Sequence, residues 1–376
     1  MATVTGAMTT TNVLSNQLSI DIGKRISLLE PDVQVLTVLT RELGKEDTQA
    51  TKFKWVEDEA KARFDTTTAE ASSSATEVKV SHGTYFQSWD QVLVTRTGEQ
   101  VRVDSVAGNT LTVTRGIGST AATILEGDEL QIIGTAQPEN DTSKPARSKT
   151  PSVVENYTQI FRTPFEISDT AKNVGYMVSP REWDRLNQNA AIEHAKDIEL
   201  SLLFGRKSAT NPGATEDRTT GGALSFITSN QTDAGGTLSE TEWNAALQQA
   251  FRYGGTNKVI LASATVVSAL NKFPASKQIV NSGETHYGMN VTTYGGPFGS
   301  VRVIYHRLLE GSKYGGYGII LDLDEVKYRP IPNRDTKLRT EIQPPDQDGH
   351  KAEFLTEAGL QFGLQRRHAV LSGVTG

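Results

Sequence analysis

The sequence predicts an α+β protein. Three observations carry that reading: one long amphipathic helix near the middle of the chain, a run of short, evenly spaced strands before it, and an alternation of apolar strands with short helices after it. The helix is expected over residues 179–205, SPREWDRLNQNAAIEHAKDIELSLLFG. Ser179, Pro180 and Glu182 form a capping-box entry, in which a cap hydroxyl and a glutamate pair otherwise unmet backbone N–H groups, and Gly205 is a suitable stop. Trp183, Leu186, Ala190, Ala191, Ala195, Ile198 and Leu202 recur at steps of three and four, with Arg185, Gln188, Glu193, Lys196 and Glu199 largely on the opposite side. At about 1.5 Å per residue such a rod reaches roughly 40 Å, the span of a domain.

Composition sets the limits. At 376 residues and 36% hydrophobic, the chain can bury two or three cores. No stretch approaches the roughly 20 apolar residues of a bilayer helix, so no membrane partner is expected. The opening MATVTGAMTTTNVLSNQ has neither the basic nor the apolar region of a secretory signal. Without cysteine there are no disulfides and no thiolate metal sites, which fits assembly in a cytoplasm. The net charge is −6 and Lys and Arg are scattered, which disfavours a protein that grips nucleic acid by its phosphates.

In chain order, residues 1–31 are rich in Thr, Ser and Asn and too poor in apolar residues to offset their own ordering entropy, so they read as an arm. DVQVLTVLTREL (32–43) has enough Val and Leu for a short strand or helix that docks. In TKFKWVEDE, Phe53 and Trp55 alternate with Lys52 and Lys54, a strand with one apolar face that no neighbouring segment is expected to cover. Residues 77–135 then carry five short strands separated by turn signals such as Thr97-Gly98 and Gly108-Asn109, the texture of a small barrel or sandwich. After a Pro-rich, charged connector, VVENYTQIFRTPFEIS is extended, with Tyr157, Phe161 and Phe165 as anchors. The layout is a two-stranded arm carrying a β-module. Such a ribbon is marginal in water and must pack on its own body or on another subunit.

Beyond the long helix, KSATNPGATEDRTTGG is a loop and GALSFIT a strand. Ser239 and Glu242 form a second capping box, opening a helix with Trp243, Leu247, Ala250 and Phe251 on one face and Gly254 and Gly255 at its end. KVILA is apolar enough to be buried on both faces, and TVVSALNKF is a helix that stops at Pro274. Residues 222–275 thus make an α/β layer, continued by GSVRVIYHR, GYGIILDLD and EVKYRPI. The closing KAEFLTEAGLQFGLQRRHAVLSGV reads as long antiparallel strands beside the long helix, with bends or bulges at Gly359 and Gly363.

Catalytic signals are sparse. The six histidines, at 82, 194, 286, 306, 350 and 368, form no metal-spaced pair and read as surface or packing residues. Gly116-Ile117-Gly118-Ser119-Thr120-Ala121 matches a dinucleotide fingerprint in form, yet no βαβ unit continues from it. Asp346-Gln-Asp348-Gly349-His350 lacks the full acidic series of a calcium loop. Asp322 and Asp324 share a strand face and, if any enzyme site exists, would be its carboxylates; surface acids at a strand end are the simpler account. No catalytic residue, cofactor or metal ligand is assigned, and the chain reads as a non-enzyme.

The order of parts resembles the major capsid proteins of tailed bacteriophages with the Hong Kong 97 type fold, in a branch with a β-domain inserted in the extension loop. The resemblance rests on the FKWVEDE strand, the LTVTRGIGSTAA hairpin, the NKVILASATVVSALNKF strand and helix, and the closing EFLTEAGLQFGLQRRHAVLSGV. It implies an N-terminal arm (1–48), an extension loop (49–172) with a β-barrel at about 77–135, a peripheral domain (173–221) on the spine helix 179–205, an axial domain (222–330) and peripheral return strands (331–376). It further implies hexamers and pentamers of this chain tiling an icosahedral virion head around double-stranded DNA, which is enclosed without sequence-specific binding. Separate scaffolding and portal proteins, and a decoration protein on the barrel, would be its other partners. Phe53, Trp55, Tyr157 and Phe161 are the expected subunit-interface anchors; stapling the arm's two strands together is their other possible role. Alternatives are a nanocompartment shell or tail-tube subunit, and a carbohydrate-binding protein using the 77–135 barrel.

Overall fold

The structure, a computed structural model, describes residues 34–60, 62–137, 139, 150–174, 182–210, 217–273, 278–279, 285–286, 289–296 and 298–375. Its contacts divide the chain into two compact bodies, one of residues 1–55 with 154–376 and one of residues 56–153.

The larger body holds an eight-stranded sheet. Its order is Gln231–Gly236, Ala369–Val374, Gly318–Leu321, Asn257–Ala262, Gly299–Tyr305, Met289–Gly296 and Gln278–Ile279, with Thr285–His286 paired to Met289–Gly296 off that path. The KVILA segment is central, as its unbroken apolar run requires. Val259 and Leu261 face one core, with Ile198, Leu202 and Leu203 of the long helix. Ile260 and Ala262 face the other, with Trp243, Leu247, Val266 and Leu270. That second core is roofed by the helices Glu240–Phe251 and Ala264–Asn271, the first of which opens on a complete Ser239/Glu242 capping box. At roughly 25 cal/mol per Å² of apolar surface, a side chain such as Trp243, fully buried here, is worth several kcal/mol.

A second sheet is built on the 13-residue strand His350–Phe362. Gln159–Ile167 runs antiparallel along one side of it, and Val326–Pro330 and Lys337–Arg339 along the other. Its even-numbered residues turn toward the long helix Glu182–Phe204, where Phe354 meets Phe165 and His194. The expected cap at Ser179 and Pro180 lies outside the described residues; the helix ends, as expected, just before Gly205.

Three local expectations are corrected. GALSFIT is a single helical turn, Ala223–Phe226, because Ala223 and Ile227, four apart, both enter the core beneath the long helix. Gly359 is no bulge: it sits in unbroken register opposite Arg329, and a Cβ there would stand 2.6 Å from the Tyr157 carbonyl and 2.7 Å from the Phe53 ring. The last strand, Ala369–Val374, does not continue the second sheet but pairs with Gln231–Gly236 and Gly318–Leu321 in the larger one, burying Val370 in the core under the long helix and Leu371 in the other.

The smaller body is a six-stranded antiparallel sheet in the order Phe64–Thr66, Glu129–Thr135, Asp90–Val94, Gln100–Ala107, Thr110–Thr114, Glu77–Lys79. Its first and last strands also meet. Thr68 N–H donates to Lys79 O, Ser81 N–H donates to Thr66 O, and Thr67 bridges Val80, which closes the sheet on itself. Val78, Val92, Val94, Val101, Val103, Leu111, Val113, Ile124, Leu130 and Ile132 fill the interior.

Candidate functional site

The N-terminal segment enters the body through the helix Val35–Leu43, which supplies no cap of its own, since the Gln34 side chain makes none. Glu199 of the long helix substitutes for it. The Leu36 and Thr37 N–H groups donate to the two Glu199 carboxylate oxygens at 2.6 and 2.8 Å, and the Thr37 hydroxyl donates to the second. His306 Nε2 lies 2.7 Å from the first oxygen. Leu308 N–H donates to His306 Nδ1, so the ring proton sits on Nε2 and points at Glu199. Both side chains are fully buried. A negative group at a helix N-terminus meets the unpaired N–H groups and the positive end of the helix dipole together. The sequence expectation that Glu199 faces outward is therefore corrected.

The rest of the segment is held as firmly. Leu36 and Leu39 enter the core that also holds Leu202 and Tyr328. Arg41 donates to the Tyr328 hydroxyl at 3.0 Å and the Thr336 hydroxyl at 2.8 Å, and Lys45 pairs with Asp335 at 2.6 Å. Burial works to raise the Asp335 carboxyl, but Lys45, Arg41 and Tyr328 outweigh it and leave it below the usual carboxylate range. Glu46 N–H and Thr48 N–H then donate to Tyr328 O and Pro330 O, which lays the segment beside the sheet edge.

The aromatic anchors come next. Phe53 and Trp55 are covered within the chain, as is Phe161, against the expectation of an uncovered face. Phe53 stacks on Trp55, Trp55 meets Phe226 at 6.0 Å, and Phe226 stacks on Phe362. The helical turn at 223–226 and the missing side chain at Gly359 make room for them. Tyr157 alone of the four stays partly exposed, with the Lys52 ammonium 5.5 Å from its ring centre. Beside it, Asn156 is wholly buried: its amide NH₂ donates to Leu360 O, Gly221 O and the Thr220 hydroxyl, and its carbonyl accepts from Gly221 N–H. Sequence reasoning missed Asn156 and Glu199, because nothing local marks a polar residue as buried. Val56 and Val153, on the paired strands Lys52–Glu57 and Ser152–Tyr157, are 67% and 60% exposed.

The catalytic alternatives come apart. Asp322 is buried 3.3 Å from Lys258 Nζ, whose ammonium also donates to Arg367 O, while Asp324 is exposed, so the two carboxylates form no pair. Asp322 N–H donates to His368 Nδ1 and His368 Nε2 donates to Gly363 O, a pattern only the neutral ring can make, and burial pulls His368 down to about 4. The glycine loop after Thr114 is clasped by its own protein: Glu99 accepts from Gly116 N–H and Ala122 N–H and pairs with Arg115 at 2.7 Å. The backbone donors that would cradle a phosphate are thus taken by a carboxylate. Among the described residues no group of three His, Asp or Glu is placed to hold a metal.

Comparison with known proteins agrees with this architecture. One relative, the major capsid protein of Pseudomonas phage PaMx41, is 32% identical over 140 residues, which span 37% of this chain and 34% of that relative. The fold is shared with Mycobacterium phage Bobi (9% identity, 99% of this chain, 100% of that one, TM-score 0.54) and the capsid of the empty GTA particle (10% identity, 96% and 97%, TM-score 0.50). Residues 3–375, nearly the whole sequence, match one family throughout, and the chain belongs to the SU10 major capsid protein family.

Proposed function

We propose that this protein is the structural subunit of a bacteriophage head, forming hexamers and pentamers that close into an icosahedral shell around double-stranded DNA. The family match over residues 3–375 carries the reading. The arm strands support it: a two-stranded ribbon that leaves Val56 and Val153 in water gains most when another subunit covers it. Modest contacts repeated over several neighbours then add up to a stable wall. Tyr157 is assigned to the subunit contact, while Phe53, Trp55 and Phe161 act behind it by fixing the root of the ribbon. Residues 49–172 serve as the extension loop, with the closed β-sheet as its inserted domain. The protein carries no catalytic step; scaffolding and portal proteins are separate chains, and assembly takes place in the host cytoplasm.

Negative-stain microscopy of the purified protein, alone and with a co-expressed scaffold, tests the proposal. Closed polyhedral particles or capsomer rings are expected. A monodisperse monomer at high concentration under both conditions would overturn it.

A further inference from the structure

The odd-numbered face of the strand His350–Phe362, turned away from the long helix, carries two buried glutamates, Glu353 and Glu357. Each is gripped by two arginines. Arg162 and Arg339 reach Glu353 at 3.3 and 3.2 Å, and Arg218 and Arg334 reach Glu357 at 3.4 and 2.5 Å. The register adds Lys337, Lys351 and Glu166 to the same face. Lys327 and Arg329 lie on this face too, both paired with Glu46, so eight cations against four carboxylates leave a surplus of four positive charges here. The whole chain has 38 basic and 44 acidic residues, so everything else sums to −10. Arg162 and Arg339 keep 57% and 50% of their side-chain surface exposed, and Ile160, opposite Glu357, is exposed beside them.

The most acidic part of the chain is the smaller body: residues 56–153 hold 14 acidic and nine basic residues, net −5. The bridge Ala71–Ile124 and the pairing of Thr66 with Glu129 bring Glu70, Glu126 and Glu129, all exposed, around the exposed Leu125. Of the nearby cations, Arg96 is spent on Asp128 at 2.7 Å and Arg115 on Glu99 at 2.7 Å.

Resting on the capsid reading, we propose that the arginine face of one subunit docks the acidic lip Glu70–Leu125–Glu126–Glu129 of a second copy. The two surfaces differ, so the contact is head-to-tail, the kind that closes rings. The buried glutamates hold the guanidiniums in fixed orientation before the partner arrives, which lowers the cost of ordering them on binding. They also disfavour duplex DNA as the occupant: a continuous phosphate backbone would meet Glu353 and Glu357, whereas separate carboxylates can pair with the outer guanidiniums one by one.

The test compares particle or ring yield, by sedimentation and microscopy, for the full chain and for Arg162→Glu/Arg339→Glu, with circular dichroism and melting of each unassembled protein. Yield is expected to fall about tenfold or more in the reversed variant and to fall less in Arg162→Gln/Arg339→Gln, which removes the positive charge without adding repulsion and whose fold the same circular dichroism checks. Combining the reversal with Glu126→Lys/Glu129→Lys is expected to restore most of the yield, which no purely structural role of the arginines would do. Normal assembly of the reversed variant, or loss without rescue, overturns the proposal while the capsid reading stands. Reversed shells that form normally but no longer retain a short duplex would give the face to nucleic acid instead. A wild-type chain that never assembles would overturn both readings.

Discussion

Glu199 answers for two backbone N–H groups, a hydroxyl and an imidazole at once, and is itself wholly buried. Replacing it with Ala would leave those donors buried and unmet, at a cost of about 3–5 kcal/mol. We expect Glu199→Ala to lower the urea midpoint of the unassembled subunit and to speed proteolysis within residues 34–48, with Glu199→Gln in between; unchanged cleavage would show that the arm helix holds without it. Two other residues set a pH limit. Burial holds His368 and His194 down to about 4, against 6.5 when free, with Arg41 adding to the effect at His194. Between those values the unfolded chain binds more protons than the folded one, so stability is fully present above pH 6.5 and drains away as pH falls toward 4. The melting temperature of the unassembled subunit is expected to drop over that window, and His368→Gln to flatten the drop.

At the scale of elements, the root of the arm depends on a glycine and an asparagine. Gly359→Val drives a side chain into the Phe53 ring and the Tyr157 carbonyl, so Trp55 should lose its cover, read as a red shift in tryptophan emission with a loss of about 1–3 kcal/mol. Elements that announce themselves by pattern were legible in the sequence: the long helix by its three-and-four spacing, Glu240–Phe251 by its capping box, and Asn257–Ala262 by its unbroken apolar run. Gln231–Gly236 was not, because QTDAGG has no alternation and becomes a strand only by pairing with Ala369–Val374 from the far end of the chain. GALSFIT misled for the same reason, its conformation being decided by the helix it packs under. Of the site, the aromatics were visible as residues, but their cover was not, since Phe226 and Gly359 are distant in sequence. Burial of Glu199 depends on the arm helix and on His306, neither of which its own neighbours reveal.

Taken whole, the molecule is two bodies with separate cores. Residues 62–137 excised alone are expected to fold, giving a β-type circular dichroism spectrum and one cooperative melt, because their sheet closes through Thr67 and Val80 and fills its own interior. A Gly83→Ala change should abolish that melt, since any Cβ at Gly83 collides with the Gly108 carbonyl. Retention of a sharp transition would mean the loop yields more readily than its packing implies.

The cap on the arm helix has a consequence for timing. A ribosome delivers residues 35–43 first, whereas Glu199, His306 and Tyr328 follow up to about 290 residues later, roughly 15 s to 1 min at 5–20 residues per second. A nine-residue helix without a cap is too short to persist alone. Residues 35–43 of each newborn chain therefore wait, unfastened, until the distant residues that hold them have been made, and they are among the last to find their place.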